Sequence, residues 1–534
     1  MSTTATGKSR MPGYAEPTRA SRRAQVGRVL APALAIAVYL ALPDAELGAD
    51  GRAVGAVGAL MATLWVTEAL PLPVTSLLPI VLFPVLDVTD VSGATAPYAS
   101  DLIFLFMGGF MIALSMQRWG LHERIAITTL RLVGTRPVNL VGGFMLATGF
   151  LSMWVSNTAT TVMMLPIGAS VAGLVLTQLA KEREDVTAPS GPTPVAADSA
   201  TSGGSRTSPF ATGLMLAIAF SASIGSLATL IGTPPNLFMA EFLDETYGIE
   251  IAFGRWMLVG LPLALVFGVI AWVLLTRVVF RPEVRDVPGA KDLLEREAAR
   301  LGAIGRGERT VLAVFVATAL AWILREPLTG GENALSQSLL EVLPGLAGAS
   351  DAGIAILAAV ALFALPVDLR QGVFALDWDT ARQIPWGVLL LFGGGLSLAN
   401  GVQESGFDEW VGQQVGGLGI LPVLGIVAGV ALITLLLTEL TSNTATAATF
   451  LPILAGVAIG LEIPVLVLVV PAALAASCAF MMPVATPPNA IVFGSGYVSI
   501  TQMVRAGVWL NLIGVVLITL VAATLLGWVF GVSV

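Results

Sequence analysis

Apolar runs too long for any soluble core constrain this chain before any motif is considered. Segments such as 260–279 and 506–530 match or exceed the roughly 20 residues that a helix needs to cross a bilayer. The composition agrees: 56% hydrophobic, 12% charged and a mean hydropathy of +0.86 lie beyond what ordinary soluble domains show. A β-barrel would need many short alternating segments instead. The expected fold class is therefore an all-α polytopic membrane protein. Candidate spans at 26–43, 53–69, 71–86, 101–117, 210–240, 255–279, 308–325, 351–366, 387–401, 464–496 and 506–531 give about 11 transmembrane helices.

The same inventory excludes several classes of function. The single cysteine, Cys478, forbids an internal disulfide, and with the single histidine, His122, it leaves no Cys/His cluster for zinc or haem. No cofactor is expected. The net charge of -8 is spread over connections without a basic block, so nucleic acid is not a partner. The polar, basic residues 1–25 read as a cytoplasmic tail. The run that follows has the length of a signal peptide, but Pro43-Asp44-Ala45-Glu46 is a poor cleavage site, and a retained first span is expected.

Two further apolar segments, 136–178 and 419–461, are each long enough for two helices, and each is interrupted near its middle by Ser-Asn-Thr. Read as re-entrant hairpins, each enters and leaves on one side, and the charges then sort cleanly. Inner connections hold Arg118, Arg124, Arg131, Arg136, Lys181, Arg183, Arg277, Arg281, Arg285, Arg370, Arg382 and Arg505, with the basic N-terminal tail on the same side. Outer connections are acidic, with Asp44, Glu46, Asp87, Asp90, Glu241, Asp244, Glu245, Glu404, Asp408 and Glu409 against Arg52. The positive-inside rule places the N-terminus in the cytoplasm and the C-terminus outside, in a cell (cytoplasmic) membrane. Residues 285–306 read as an amphipathic linker helix on the inner surface, with Leu293, Leu294, Ala298 and Leu301 at near-helical spacing. Residues 181–209, rich in Ser, Thr, Pro and Gly, read as a flexible inner loop.

The interrupting clusters belong to a duplication. Ser156-Asn157-Thr158 returns as Ser442-Asn443-Thr444, and Thr233-Pro234-Pro235-Asn236 returns as Thr486-Pro487-Pro488-Asn489. The spacing is 77 residues in the first copy and 44 in the second, a difference of 33 that roughly matches the inner loop. The expected organisation is a first repeat over 26–284 and a second, inverted repeat over 307–534. Such repeats build transporter sites near the bilayer midplane where discontinuous helices meet. Pro-Pro breaks a helix, freeing carbonyls and exposing the positive end of the half-helix that follows. Ser, Asn and Thr supply oxygens for a hard cation and donors for an anion. An isolated Ser-Asn-Thr would more simply be helix-to-helix glue; two copies, each followed by Thr-Pro-Pro-Asn, argue for a site.

These motifs, with Trp65-Val-Thr-Glu-Ala-Leu-Pro-Leu-Pro-Val-Thr, Phe106-Met-Gly-Gly-Phe-Met and Trp119-Gly-Leu-His122, resemble those of the divalent anion:Na+ symporter family over most of the chain. The resemblance implies a secondary active transporter that imports small dicarboxylates such as succinate, malate or fumarate, coupled to Na+ as the coupling ion. It further implies a homodimer in membrane lipid, with a scaffold domain and a transport domain that moves like an elevator. Residues resembling carboxylate contacts are Asn157, Thr158, Asn443, Thr444, Thr486 and Pro487. Those resembling a first Na+ site are Ser152, Ser156, Asn157 and Gly232, and a second Thr438, Thr441, Asn443 and Ala485, with Thr441 and Ala485 acting through backbone carbonyls.

Rival readings remain at this stage. Glu439 and Glu68 fall inside apolar segments and are either proton relays or braces for broken helices, the brace being the simpler role. A dicarboxylate exchanger, a proton-coupled transporter, or a citrate or sulfate transporter would share these motifs. An intramembrane hydrolase would need a base beside Ser156 or Ser442, and neither Gly-x-Ser-x-Gly nor His-Glu-x-x-His occurs. The chain is not expected to be an enzyme. A channel fits paired hairpins less well than alternating access does.

Overall fold

The computed structural model describes residues 22–187, 208–329, 337–338, 341, 348–414 and 421–532. Most of the tail 1–25 and of the loop 181–209, the start of the hairpin segment 419–461 and the extreme C-terminus lie outside the described residues. Among the described residues the fold is almost wholly helical; the strands there are Pro366–Asp368 and Val373–Phe374, paired antiparallel. Among the described residues, eight helices are long and apolar enough to cross a membrane, and five shorter apolar helices accompany them.

Each interrupted segment is a helix-turn-helix hairpin. The first comprises Pro137–Ser152 and Asn157–Thr187; the second comprises Val423–Thr438 and Asn443–Gly460. The second arm of each carries a proline nine positions after its asparagine, Pro166 and Pro452, a further mark of the duplication. The arm Asn157–Thr187 runs seven residues into the stretch expected as loop, because Lys181, Glu182, Arg183 and Glu184 are good helix formers that continue it.

The Pro-Pro pairs start helices, since proline at the first positions lacks only N–H groups that would go unbonded there. Pro209–Ser226 ends before an unwound stretch, and Pro234–Tyr247 follows; likewise Leu466–Ala476 precedes an unwound stretch and Pro487–Gly494. Every residue of Leu466–Ala476 is buried, and nearly all of Pro209–Ser226 is. These two helices form the centre of the molecule, and the halves interlock there. Pro209–Ser226 packs on Pro487–Gly494 of the other repeat, while Pro234–Tyr247 packs on Leu466–Ala476 and on Asn443–Gly460. Contact between the first hairpin and Pro209–Ser226 is close enough that a Cβ on Gly225 would lie 2.4 Å from Gly149 Cα.

Around this centre the structure departs from the expected spans in identifiable ways. The segment 71–86 is two short helices, Leu72–Thr75 and Leu78–Val85, each begun by a proline that cannot continue the previous one. Two amphipathic helices, Leu121–Val133 and Phe407–Gln414, precede the two hairpins in matching positions. The linker forms Ala290–Leu301, whose buried Ala290 and Leu294 belong to a helix that packs on Leu121–Val133, so its apolar face is covered by protein.

Candidate functional site

Both hairpin turns and both unwound stretches converge on one cavity of about 1340 Å³. It is larger than the roughly 300–1,000 Å³ typical of a small-molecule site. Of the residues singled out from sequence, Ser156, Asn157, Thr158, Gly232, Thr441, Asn443, Thr444, Ala485, Thr486 and Pro487 line this cavity. Ser152 and Thr438 do not line it; both are fully buried just behind the asparagines. Arg23, Arg28, Glu68 and Gln383 also line it, on elements that sequence reasoning did not assign to the site.

The two hairpin turns and the two Thr-Pro-Pro-Asn motifs each start a helix at this cavity, at Asn157, Pro234, Asn443 and Pro487. Each N-terminus carries about half a positive charge, and the starts at Asn157 and Asn443 add backbone N–H groups that the Pro-Pro starts lack, so their convergence favours an anion. Behind them lie the C-terminal ends of the preceding helices, the negative ends of their dipoles, which favour cations. Each hairpin turn and each helix break thus supplies one end of either sign.

In the first repeat, Ser152 Oγ donates to Asn157 Oδ1 at 2.5 Å, and Asn157 Nδ2 donates to Ser226 Oγ at 3.2 Å. The loop after Ser226 closes tightly on itself: a Cβ on Gly232 would sit 2.3 Å from Ser226 O, so glycine is required there by space. In the second repeat, Thr438 Oγ1 is 2.7 Å from both Asn443 Oδ1 and Ala476 O. One hydroxyl proton serves only one of these acceptors at a time, leaving a crowd of oxygens of the kind a hard cation takes as ligands. Thr441 Oγ1 is engaged with Leu437 O at 2.9 Å and Thr446 Oγ1 at 2.6 Å. Its side chain is therefore occupied, consistent with a role for its carbonyl.

The asparagines that close the Thr-Pro-Pro-Asn motifs stitch the unwound stretches together. Asn236 Nδ2 donates to Leu227 O at 3.3 Å and Thr229 O at 3.0 Å; Asn489 Nδ2 donates to Ala479 O and Met482 O, each at 3.1 Å. Sequence reasoning gave these residues no role, although their recurrence in both copies was a signal.

Glu439 has the brace geometry. Its Oε1 accepts from Phe480 N (2.8 Å), Met481 N (2.9 Å) and Asn511 Nδ2 (2.7 Å), and its Oε2 accepts from Met482 N (2.9 Å). Three successive amides of an unwound stretch form a nest for its carboxylate. The matching position in the first repeat is Met153, whose carbonyl takes a hydrogen bond from Thr229 Oγ1 at 2.5 Å. Glu68 lies elsewhere, exposed at the cavity wall in a left-handed turn (φ 50°) at the end of Asp44–Thr67. Arg23 and Arg28 donate to Val66 O and Ala69 O on either side of it, and Arg23 also reaches Leu440 O in the second hairpin turn at 3.1 Å. His122 is half-buried, 3.3 Å from Met116 O and away from this cavity.

Known proteins place this architecture. Residues 23–532 match the profile described as "Sodium:sulfate symporter transmembrane region". Proteins called sodium-dependent dicarboxylate transporter SdcS, from Staphylococcus aureus strains bovine RF122 / ET3-1, USA300 and MSSA476, are each 40% identical over 511 residues, covering 95% of this chain and 92% of theirs. Two solved transporter structures share the fold at low identity. The Alcanivorax borkumensis YdaH transporter has TM-score 0.50 at 14% identity over 81% of this chain and 86% of its own. Neisseria gonorrhoeae MtrF has TM-score 0.55 at 11% identity over 97% and 96%. With a profile match over nearly its whole length and relatives at 40% identity, the chain belongs to the sodium:sulfate symporter family, a multi-pass membrane transporter and not an enzyme.

Proposed function

We propose that this chain imports small dicarboxylates such as succinate, malate or fumarate in symport with Na+. The observation that carries the reading is the meeting of both Ser-Asn-Thr turns and both Thr-Pro-Pro-Asn helix starts on one cavity. The motifs contain no Lys or Arg. A dianion held there rests on Asn157, Thr158, Asn443, Thr444, Thr486 and the helix start at Pro487, whose partial charges do not neutralise it. Bound cations supply the remainder. In this reading Ser152, Ser156, Asn157 and Gly232 hold one Na+, and Thr438, Thr441, Asn443 and Ala485 hold a second. The 40% identical relatives named sodium-dependent dicarboxylate transporters support both the ion and the substrate class.

The repeats are read as inverted, over 26–284 and 307–534, with the two hairpins re-entering the bilayer from opposite faces and 285–306 joining the halves. The Lys/Arg asymmetry supports a cytoplasmic N-terminus and an external C-terminus. On that orientation the part of the cavity lined by Arg23, Arg28 and Gln383 faces inward. Alternating access then proceeds by movement of a transport domain against a scaffold in a homodimer. Single cysteines at Ser202 and Ser533 in a Cys478→Ala background test the orientation: external labelling of position 202 refutes it.

The function is tested by uptake of labelled succinate into vesicles holding the purified protein. Uptake that collapses when choline replaces Na+ at fixed pH, and that dicarboxylates but not sulfate compete away, is expected. Undiminished uptake without Na+ refutes symport; dependence on internal dicarboxylate then identifies an exchanger, and dependence on a proton gradient a proton-coupled carrier.

A further inference from the structure

The two unwound stretches touch through a pair of hydroxyls that the duplication does not account for. Thr233 Oγ1 and Ser477 Oγ lie 3.1 Å apart across the repeats, and both residues are only 2% exposed. Applying the offset that relates Thr486 to Thr233, the counterpart of Ser477 is Ile224, which has no hydroxyl, so this contact has no symmetry mate. Thr233 also departs from its own mate. Thr486 keeps its hydroxyl on its own helix, accepting from Asn489 N at 3.3 Å, whereas the helix begun at Pro234 has no side-chain cap from Thr233.

The contact joins the neighbourhoods of the two oxygen clusters. Thr233 follows Gly232, which is pinned against Ser226 O, and Ser226 Oγ receives the Asn157 amide. Ser477 follows Ala476, whose carbonyl lies 2.7 Å from Thr438 Oγ1, itself 2.7 Å from Asn443 Oδ1. A cation that draws Asn157 and Gly232 together shifts Thr233; the hydroxyl bond passes that shift to Ser477 and so to the Ala476 carbonyl. We propose that the Thr233–Ser477 hydroxyl pair couples the two cation sites, so that Na+ at one raises affinity at the other. The proposal rests on the Na+-symport reading above. Thr233 and Ser477 act here as positioning residues that contact neither ion.

The experiment compares Thr233→Val, Ser477→Ala, the double variant and Ser477→Thr, reading Na+ activation of succinate uptake and the Na+ dependence of thermal stability of the purified proteins. The wild type should show a Hill coefficient above one. Each single variant should fall toward one, with half-saturating Na+ raised about fivefold or more, the lower end of ordinary coupling between sites. The double variant should match either single variant, since one bond is removed in all three, and Ser477→Thr should stay cooperative. If Thr233→Val does not fold, the contrast between Ser477→Ala and Ser477→Thr decides. Undiminished cooperativity in Ser477→Ala, or single-variant effects that add in the double, overturns the proposal. A Na+-dependent wild type with a Hill coefficient of one overturns the coupling and leaves symport standing. A wild type indifferent to Na+ overturns symport and this proposal with it.

Discussion

Replacing Glu439 by glutamine isolates what its carboxylate does. Four donors converge on the two oxygens, at 2.7 to 2.9 Å, and three of them are consecutive backbone amides, Phe480, Met481 and Met482. Glutamine offers one oxygen where the carboxylate offers two. With that oxygen at the Oε1 position, three bonds survive without their charge assistance, each losing roughly 1 kcal/mol. The new NH2 group then faces Met482 N–H donor to donor, leaving a buried amide unbonded at about 1–3 kcal/mol. The sum is about 4–6 kcal/mol, and relief from burying a carboxylate that has no Lys or Arg partner among the described residues offsets part of it. A net loss of about 2–4 kcal/mol remains.

That loss falls on the stretch leading to Ala485, so it should appear as weaker Na+ binding as well as a lower melting midpoint. At about 1.4 kcal/mol per tenfold, half-saturating Na+ should rise at least tenfold. Asn511→Leu, which removes one of the four bonds and leaves the amides paired, should have a smaller effect in the same direction. The assay is thermal unfolding of purified protein with and without Na+, alongside Na+ activation of uptake. A Glu439→Gln protein with wild-type midpoint and wild-type Na+ dependence would refute the brace. Unchanged stability together with loss of proton-driven uptake would identify Glu439 as a relay instead.

Asn157→Ala and Asn443→Ala should each abolish transport in folded protein, because losing a hydrogen bond to a charged partner costs about 1.5–3 kcal/mol, at least tenfold in affinity; near-normal uptake by either removes that hairpin from the site. Glu241, at the polar end of Pro234–Tyr247, is held protonated up to about pH 8 by burial, with Glu245, Asp244 and Asp101 adding to the effect. Its folded value lies above the usual 4.5, so its contribution to stability is complete below pH 4.5 and is lost as pH rises through about 8. Glu241→Gln should therefore melt like the wild type at pH 5 and higher than it at pH 8.5, and equal midpoints at both pH values would contradict this.

The elements that sequence made legible are those governed by local chemistry. Polar triads inside apolar runs announce the hairpin turns, and paired prolines announce helix starts, because each acts on its own backbone. Leu121–Val133 was missed although Leu121, Ala126, Ile127 and Leu130 mark a buried face. Its flanking arginines, Arg118, Arg124 and Arg131, made the region read as a connection. The site was legible as a set of recurring residues, and the structure gathers that set around one cavity. The rest depends on which distant segment folds against which. Glu439 reaches amides 41 to 43 positions away, Thr233 meets Ser477 across 244, and Arg23 meets Leu440 across 417. No periodicity or spacing reports those pairings.

Duplication explains how one cavity could hold charges of both signs without fixed charges in its motifs. A helix that stops and restarts leaves the negative end of one dipole at the stop and the positive end of another at the restart. A hairpin turn and a broken helix each do this once, and the second copy does it again. The restarts at Asn157, Pro234, Asn443 and Pro487 face the cavity, while the stops at Ser152, Ser226, Thr438 and Ala476 lie behind it. On the proposed reading an anion is drawn forward and cations settle behind, the helix dipoles adding to the Ser, Thr and Asn side chains of the turns. A fixed Lys or Arg at the tips would hold a dianion whether or not cations were present, and would remove the dependence of one on the other. What the duplication does not supply is support for each unwound stretch, and there the copies diverge. One leans on Gly232 and the Thr229 hydroxyl, the other on the Glu439 carboxylate. The second copy therefore carries a buried carboxyl group beside its oxygen cluster that the first lacks, so on the symport reading near-identical motifs would not hold their two cations alike.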